Sequence, residues 1–405
     1  MRADLPGPLV ETIAGARAEA VLRACVHCGM CNAVCPTFQL TGDELDGPRG
    51  RIYLMKSALE GAAIGAETQL HLDRCLECRA CETACPSGVE YHRLLGVGRP
   101  FVEAKVARPW RQRLMRALIR WVTPHPARFR LALALGGLAR PLLPAALAAK
   151  VRAARPRPTP PAAAATQPVR MTLLAGCAQS VSAPQFNAAA TRVFAKAGIG
   201  LAAAPEAGCC GAVSAHLGDL TEARRFARRN IDAWSRQLDG GAAAVVVTAS
   251  GCGAFIKDYP DLLAEDPAYA DRARRIAQAV REPVELLDGT PLPAVRAPAA
   301  PRIAVHDPCT LRNGLRLGGR VEALLRRLGY DPQPVRDPHL CCGSAGPYAL
   351  TQPGFAATLR ADKIDALTEN APTVIVTANI GCWMHLRETS PIPVRHWIEA
   401  VDDVT

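Results

Sequence analysis

The sequence lacks the continuous apolar opening of a secretory signal, since Met1 to Val10 is broken by Arg2, Asp4, Pro6 and Pro8. A cytoplasmic location is therefore expected. It also lacks a convincing membrane span: Leu131 to Ala149 carries Arg140, Pro141 and Pro144, whereas crossing needs about 20 predominantly apolar residues. No G-x-G-x-x-G fingerprint follows a strand, and no cysteine pairs with an obvious base. Substrate chemistry is expected on another chain, and no catalytic residue is assigned on this one. Charged residues make up 21% against 49% hydrophobic, which excludes wholesale disorder. The 405 residues are enough for two or three domains at roughly 100 to 200 residues each.

What the chain does have is sixteen cysteines. A reducing compartment and a chain of this size argue against disulfides and for metal or redox chemistry. They fall into four groups of four: Cys25, Cys28, Cys31 and Cys35; Cys75, Cys78, Cys81 and Cys85; Cys177, Cys209, Cys210 and Cys252; Cys309, Cys341, Cys342 and Cys382. The first two groups both read C-x2-C-x2-C-x3-C-P, as CVHCGMCNAVCP and CLECRACETACP.

Cysteines at i, i+3 and i+6 wrap a short turn around one cubane and offer it three soft thiolates. In two-cluster ferredoxins of this spacing the fourth cysteine serves the other cluster. Cys25, Cys28, Cys31 and Cys85 are thus assigned to one [4Fe-4S] site, and Cys75, Cys78, Cys81 and Cys35 to a second. Structural zinc also uses CxxC pairs, but a doubled four-cysteine run closed by Pro36 and Pro86 is not zinc-finger spacing. Between the runs, RGRIYLMKSALEGAA from Arg49 reads as a helix, with Ile52, Met55 and Leu59 on one face and Pro48 just ahead. The expected ferredoxin is helical.

From Met171 the chain repeats itself. Cys177, Cys209 and Cys210 recur 132 residues later as Cys309, Cys341 and Cys342, and Cys252 recurs 130 later as Cys382. In each half a short strand, MTLLAGC or RIAVHDPC, runs into the first cysteine, and a Cys-Cys-Gly follows. A helical stretch comes next, near Asp219 to Leu238 and near Pro353 to Glu369, then a strand, AAAVVVTA or PTVIVTA, ending near a Gly-Cys pair. Alternating strands and helices imply two α/β lobes with parallel sheets and cysteines at the strand ends. Gly211 and Gly343 would let backbone approach closely and turn N–H groups toward sulfur. The occupant of each lobe is left open between an iron-sulfur cluster, zinc and none, with core packing and a reversible dithiol as the plain alternatives.

A double C-x2-C-x2-C-x3-C-P module followed by two CCG domains resembles the family of iron-sulfur subunits of bacterial glycolate oxidase, also called glycolate dehydrogenase. The likeness covers nearly the whole chain, including GPRGRIYLMK and NIGCWMHL. Similar parts occur in anaerobic glycerol-3-phosphate dehydrogenase, lactate-utilisation proteins and heterodisulfide reductase. The resemblance implies FAD-containing partner subunits that oxidise glycolate to glyoxylate while this chain passes electrons to a membrane quinone or another carrier. A lactate or glycerol-3-phosphate dehydrogenase is the neighbouring reading, and a heterodisulfide-reductase-like thiol-disulfide oxidoreductase another. The last is weakened because Ala249 and Asn379 stand where that family's CxxC places a fifth thiolate.

Between Arg99 and Arg157 there are fourteen Lys or Arg and one acidic residue, Glu103, a net +13 beside the +11 of the whole chain. The charge is local, so a zinc-bearing nucleic-acid-binding protein is not favoured. It accompanies RLMRALIRWV and LALALGGLARPLLPAALAA, with Trp110 and Trp121 near the first. This pattern suits a basic helix on an anionic bilayer at the cytoplasmic face of the inner membrane, or a connector packed on the lobes or a partner. ARPRPTPPAAAATQP, from Ala154 to Pro168, reads as a linker. The expected organisation is multi-domain α+β: a helical ferredoxin-like domain at 1–105, a basic connector and linker at 106–168, and α/β CCG lobes at 169–290 and 300–400. His27, His306, His339 and His385 are read as ordinary loop histidines, with a bond to a cluster or an outer-ligand role as the alternative for His306 and His339.

Overall fold

The helix expected from Arg49 forms at Pro48–Leu59, with Pro48 in its first turn and Ile52, Met55 and Leu59 all buried. Its missing N–H costs nothing in the first turn, and the three apolar side chains share one face. In the computed structural model, which describes residues 2–154, 169–292 and 301–405, that helix packs against Tyr91–Lys105 and shares a core with Ile13–Ala24. The approach is tight at Gly98, where a Cβ would lie 2.6 Å from Met55 Cγ. All described residues before Val169 are helix, turn or loop, as expected of a helical ferredoxin.

Two parallel sheets follow. The first has order β2-β1-β3-β4, with β1 at Val169–Leu173, β2 at Ile199–Ala203, β3 at Val245–Val246 and β4 at Val280–Arg281. The second has order β6-β5-β7-β8, with β5 at Arg302–His306, β6 at Asp331–Gln333, β7 at Val374–Thr377 and β8 at Val394–His396. Their matching order is the duplication seen in the cysteine spacing. The long helices form at Leu220–Asp239, where Asp219 Oδ1 accepts from Glu222 N at 2.8 Å, and at Pro353–Thr368.

The lobes share a core. Helix Pro184–Lys196 of the first packs on Trp397–Val404 of the second, pinned by Arg192 to Asp402 at 2.5 Å. Across this seam Trp397 Nε1 donates to Glu282 Oε1 at 3.2 Å, and His396 Nε2 bonds Thr248 O at 2.8 Å. Backbone also bridges the lobes, from Ser250 N to Ala378 O at 3.0 Å, just ahead of the last cysteine of each repeat.

The basic segment forms Trp110–Val122, Pro126–Leu138 and Ala145–Ala153. Part of its charge is paired: Arg108 with Asp73 and Glu103, Arg116 with Asp73, Arg120 with Asp219, and Lys150 with Glu388. No helix among the described residues is long and apolar enough to cross a membrane. The expected linker lies, apart from Ala154, outside the described residues.

Candidate iron-sulfur centres

Each four-cysteine run is shaped by backbone turns. In the first, Cys25 ends helix Ile13–Ala24, His27 and Gly29 take left-handed backbone, and Cys35 precedes Pro36 at the start of helix Pro36–Thr41. In the second, Glu77 and Arg79 are left-handed, curling Cys75, Cys78 and Cys81 about a common point. The cysteines cross between runs. Cys25, Cys28, Cys31 and Cys85 line one small cavity, Cys35, Cys75 and Cys78 line a second, and Cys81 borders both.

Donors are aimed at sulfur in both. Glu77 N donates to Cys75 Sγ at 3.4 Å, Val89 N to Cys85 Sγ at 3.5 Å, and Tyr91 Oη to Cys75 Sγ at 3.8 Å. Burial, then the neighbouring Cys25, pushes the Cys31 thiol up to about 11, and burial drives Cys78 and Cys81 well above the ordinary thiol range. Four crowded thiols cannot all ionise unless a cation sits among them, and soft sulfur donors suit iron or zinc. The residues fit the group their spacing implies.

One polar network was not foreseen. Arg51, 1% exposed, gives Nε to His71 O at 2.7 Å and Nη2 to Thr37 Oγ1 at 3.1 Å, and lies 3.6 Å from Asp46. Asp46 also holds Arg74 at 2.7 Å and His71 Nδ1 at 2.8 Å. Thr37 Oγ1 is 3.3 Å from Cys35 Sγ, so this buried cation backs the second cavity. Its sequence signal was Arg51 inside an otherwise apolar helix face.

The helical part docks on both lobes. Arg79 pairs with Asp258, Arg93 with Asp261 at 2.9 Å, and His216 Nδ1 with Glu77 at 2.8 Å. Against burial, which pushes it up, His216 and Arg99 hold the Glu77 carboxyl well below the usual range. Toward the second lobe, Leu76, Cys78, Cys309 and Cys341 share one apolar cluster.

Each lobe gathers its own four cysteines. Cys309 Sγ lies 3.8 Å from Cys341 Sγ, and the thiols of Cys341, Cys342 and Cys382 continue the chain. Cys177, Cys209, Cys210 and Cys252 do the same in the first lobe. The two Cys-Cys-Gly turns match closely. Gly211 N donates to Cys209 Sγ and Gly343 N to Cys341 Sγ, both at 3.5 Å. Both glycines are left-handed, and a Cβ would meet Ala223 O at 3.0 Å or Ala356 O at 2.8 Å. At the two positions where a fifth thiolate would stand, Ala249 is buried, and Asn379 Nδ2 bonds Cys382 Sγ at 3.6 Å. A cleft of about 920 Å³ joins the lobes, with Cys78, Cys177, Cys252, Cys309 and Cys382 on its walls.

Two of the histidines read as loop residues lie elsewhere. His306 ends β5 and is buried, with Nδ1 2.9 Å from Thr377 Oγ1, and burial pulls it down to about 3. His385 is buried within helix Ile380–Leu386. His27 and His339 are in loops.

A helical scaffold with two adjoining all-thiol cavities, followed by a duplicated parallel lobe bearing four thiols each, defines a multicentre iron-sulfur protein. Comparisons agree. Residues 21–89 match the 4Fe-4S dicluster domain, and residues 171–257 and 303–387 the cysteine-rich CCG domain. The chain is 48% identical over 404 residues to the glycolate oxidase iron-sulfur subunit of Escherichia coli (strain K12), covering 99% of this chain and 98% of that one. It is 30% identical over 400 residues to the probable glycolate oxidase iron-sulfur subunit of Bacillus subtilis (strain 168), at 91% and 89% coverage. Lactate utilization protein A of Bacillus licheniformis is 27% identical over 202 residues, 48% of this chain and 82% of that protein. The chain belongs to the family of glycolate oxidase iron-sulfur subunits.

Proposed function

We propose that this chain is the electron-carrying subunit of a glycolate oxidase, receiving electrons from an FAD-containing partner that oxidises glycolate to glyoxylate. Cys25, Cys28, Cys31 and Cys85 hold one [4Fe-4S] cluster, and Cys75, Cys78, Cys81 and Cys35 the other. The observation that carries this is the exchange of fourth cysteines between the two cavities, with Cys81 bordering both. When bound, the clusters divide a flavin's two-electron reduction into single-electron steps. The chain's residues supply the thiolates and aim the N–H groups of Glu77 and Val89 at sulfur, which tunes potential. The eight lobe cysteines form two further metal sites, for an iron-sulfur cluster or zinc. We place the domain limits at 1–105, 106–168, 169–290 and 300–400, and the chain in the cytoplasm, peripheral at the cytoplasmic face of the inner membrane.

The acceptor in this reading is a lipid-borne quinone. Trp110, Leu114, Leu118 and Trp121 form an exposed stripe on one helix, and Leu131, Leu135 and Leu138 on the next. Arg111, Arg113, Arg130 and Arg140 are exposed beside them with no ion pair among the described residues. Opposite faces of the same helices, at Ile119, Phe129 and Leu133, wall the cleft lined by the lobe cysteines. Such a pair of helices suits the surface of an anionic bilayer.

Copurification from native cells tests the reading. A flavoprotein that reduces its flavin with glycolate should travel with the chain. A chain isolated alone, with an intact metal content and no effect on glycolate-dependent acceptor reduction when its gene is removed, contradicts it.

A further inference from the structure

The two lobes repeat their cysteines, but they do not repeat the residue that ends the central strand. In the second lobe a ring nitrogen of His306 and the sulfurs of Cys342 and Cys382 lie within 4.8 Å of one another, all three residues buried. At the same offset the first lobe has Leu174, which is buried in an apolar core with Val247, the counterpart of Thr377. Strand pairing places His306 opposite Thr377.

We propose that the second lobe holds its metal through a mixed imidazole and thiolate set, with His306 a ligand beside Cys342 and Cys382, whereas the first lobe offers sulfur alone. This rests on the reading that the lobe cysteines are metal sites. Three features carry it. The separation is right: metal bonds of about 2.0 to 2.3 Å to nitrogen and sulfur place tetrahedral ligand atoms roughly 3.3 to 3.8 Å apart, so atoms within 4.8 Å need close by only about an ångström. The ring is oriented: Thr377 Oγ1 engages Nδ1 at 2.9 Å, which leaves Nε2 for the metal, the outer bond that fixes ligating histidines. The position does not need a polar residue: Leu174 and Val247 fill it in the first lobe, and burying an imidazole and a hydroxyl instead is costly without a task.

Zinc and an iron of a cluster both accept such a set. With iron, replacing a thiolate by neutral imidazole raises the potential. The second lobe's cysteines Cys309 and Cys341 are also the ones packed against Cys78. The more oxidising lobe would then be the one whose cysteines cluster with Cys78 of the second ferredoxin cavity.

The test uses the full chain isolated anaerobically, with iron and zinc counted and the ligand shell read by X-ray absorption and by pulsed EPR for nitrogen coupling. Both ferredoxin cavities are expected to be all-sulfur, so a nitrogen ligand reports on the second lobe. The proposal expects a nitrogen donor in the wild type that is lost in His306→Leu, with metal retention in that lobe at least about tenfold weaker. Thr377→Val, which copies the first lobe, should keep the metal with an altered nitrogen coupling, and it guards against misfolding of the first variant. Metal in the second lobe with a sulfur-only shell, or a nitrogen signal that survives His306→Leu, overturns the proposal. Metal no greater than the ferredoxin irons, and unchanged by Cys382→Ser, shows instead that the lobe-site reading itself has failed.

Discussion

Asn313 Nδ2 donates to the carbonyl oxygen of Cys78 at 2.8 Å, tying the second lobe to the turn that carries the middle cysteine of the second run. Thr83 Oγ1 bonds the same side chain at 3.1 Å. Asn313→Ala removes both bonds from a part-buried seam and is expected to weaken docking by about 1 to 2 kcal/mol. Hydrogen exchange should then rise in residues 75–85 and not in Pro48–Leu59. Equal protection in variant and wild type would show that the contact does not hold the turn.

Cys28→Ser or Cys78→Ser should abolish electron passage to the acceptor while the flavoprotein still reduces its flavin with substrate. The two thiols belong to different cavities, so both variants must behave alike if the sites act in series. Flavin absorbance and acceptor reduction, followed together, separate the outcomes. Undiminished acceptor reduction in either variant counts against a serial path.

Arg51→Met should destabilise the chain by roughly 3 kcal/mol or more, because it leaves Asp46 short of one cation inside a buried network. Arg51→Lys should not restore it, since an ammonium cannot reach both His71 O and Thr37 Oγ1 in a planar fork. Chemical denaturation of the metal-loaded protein measures both. Wild-type stability in either variant would remove Arg51 from the scaffold of the second cavity.

The lobe seam should fail at both ends of the pH scale, through two different residues. Burial pulls His396 from 6.5 down to about 3, so the folded chain binds fewer protons than the unfolded one. Its contribution is complete above about 6.5 and is lost as pH falls toward about 3. Burial raises Glu282 from 4.5 to about 8, which has the opposite sense: its contribution is complete below 4.5 and is lost as pH rises toward about 8. His396→Asn should flatten the acid limb of thermal stability, and Glu282→Gln the alkaline limb. Unchanged limbs in both variants would refute the assignment.

Vesicle flotation checks the lipid-facing helices. Binding is expected to vesicles rich in anionic phospholipid, to weaken with salt, and to be lost in Leu114→Ser with Leu118→Ser. Equal binding to zwitterionic vesicles, or none to either kind, would hand this face to a partner subunit.

Much of this molecule was legible from spacing. The repeated cysteine runs, the apolar stripe from Ile52 to Leu59, and the matching Cys-Cys-Gly turns follow from short-range rules, so helices and turns form where they were expected. The edge strands β2, β4, β6 and β8 were not expected. Short segments such as Val280–Arg281 show no periodicity and are recruited by a neighbouring strand. His306 was read as an ordinary loop histidine because imidazole is a common satisfied polar group, yet it is the last residue of β5, paired with Thr377. The basic segment suggested free positive charge, but Asp73, Asp219 and Glu388, distant in sequence, neutralise part of it. Such long-range pairings leave no local trace.

The most direct test of the electron-carrying role is an anaerobic redox titration of the isolated chain followed by EPR, with iron counted on the same sample. About eight irons in two ferredoxin-type clusters, or more where the lobes also hold iron, with each ferredoxin cluster taking up one electron and the two interacting magnetically across Cys81, is the predicted result. A colourless sample, free of iron and without a signal after reduction, would contradict it.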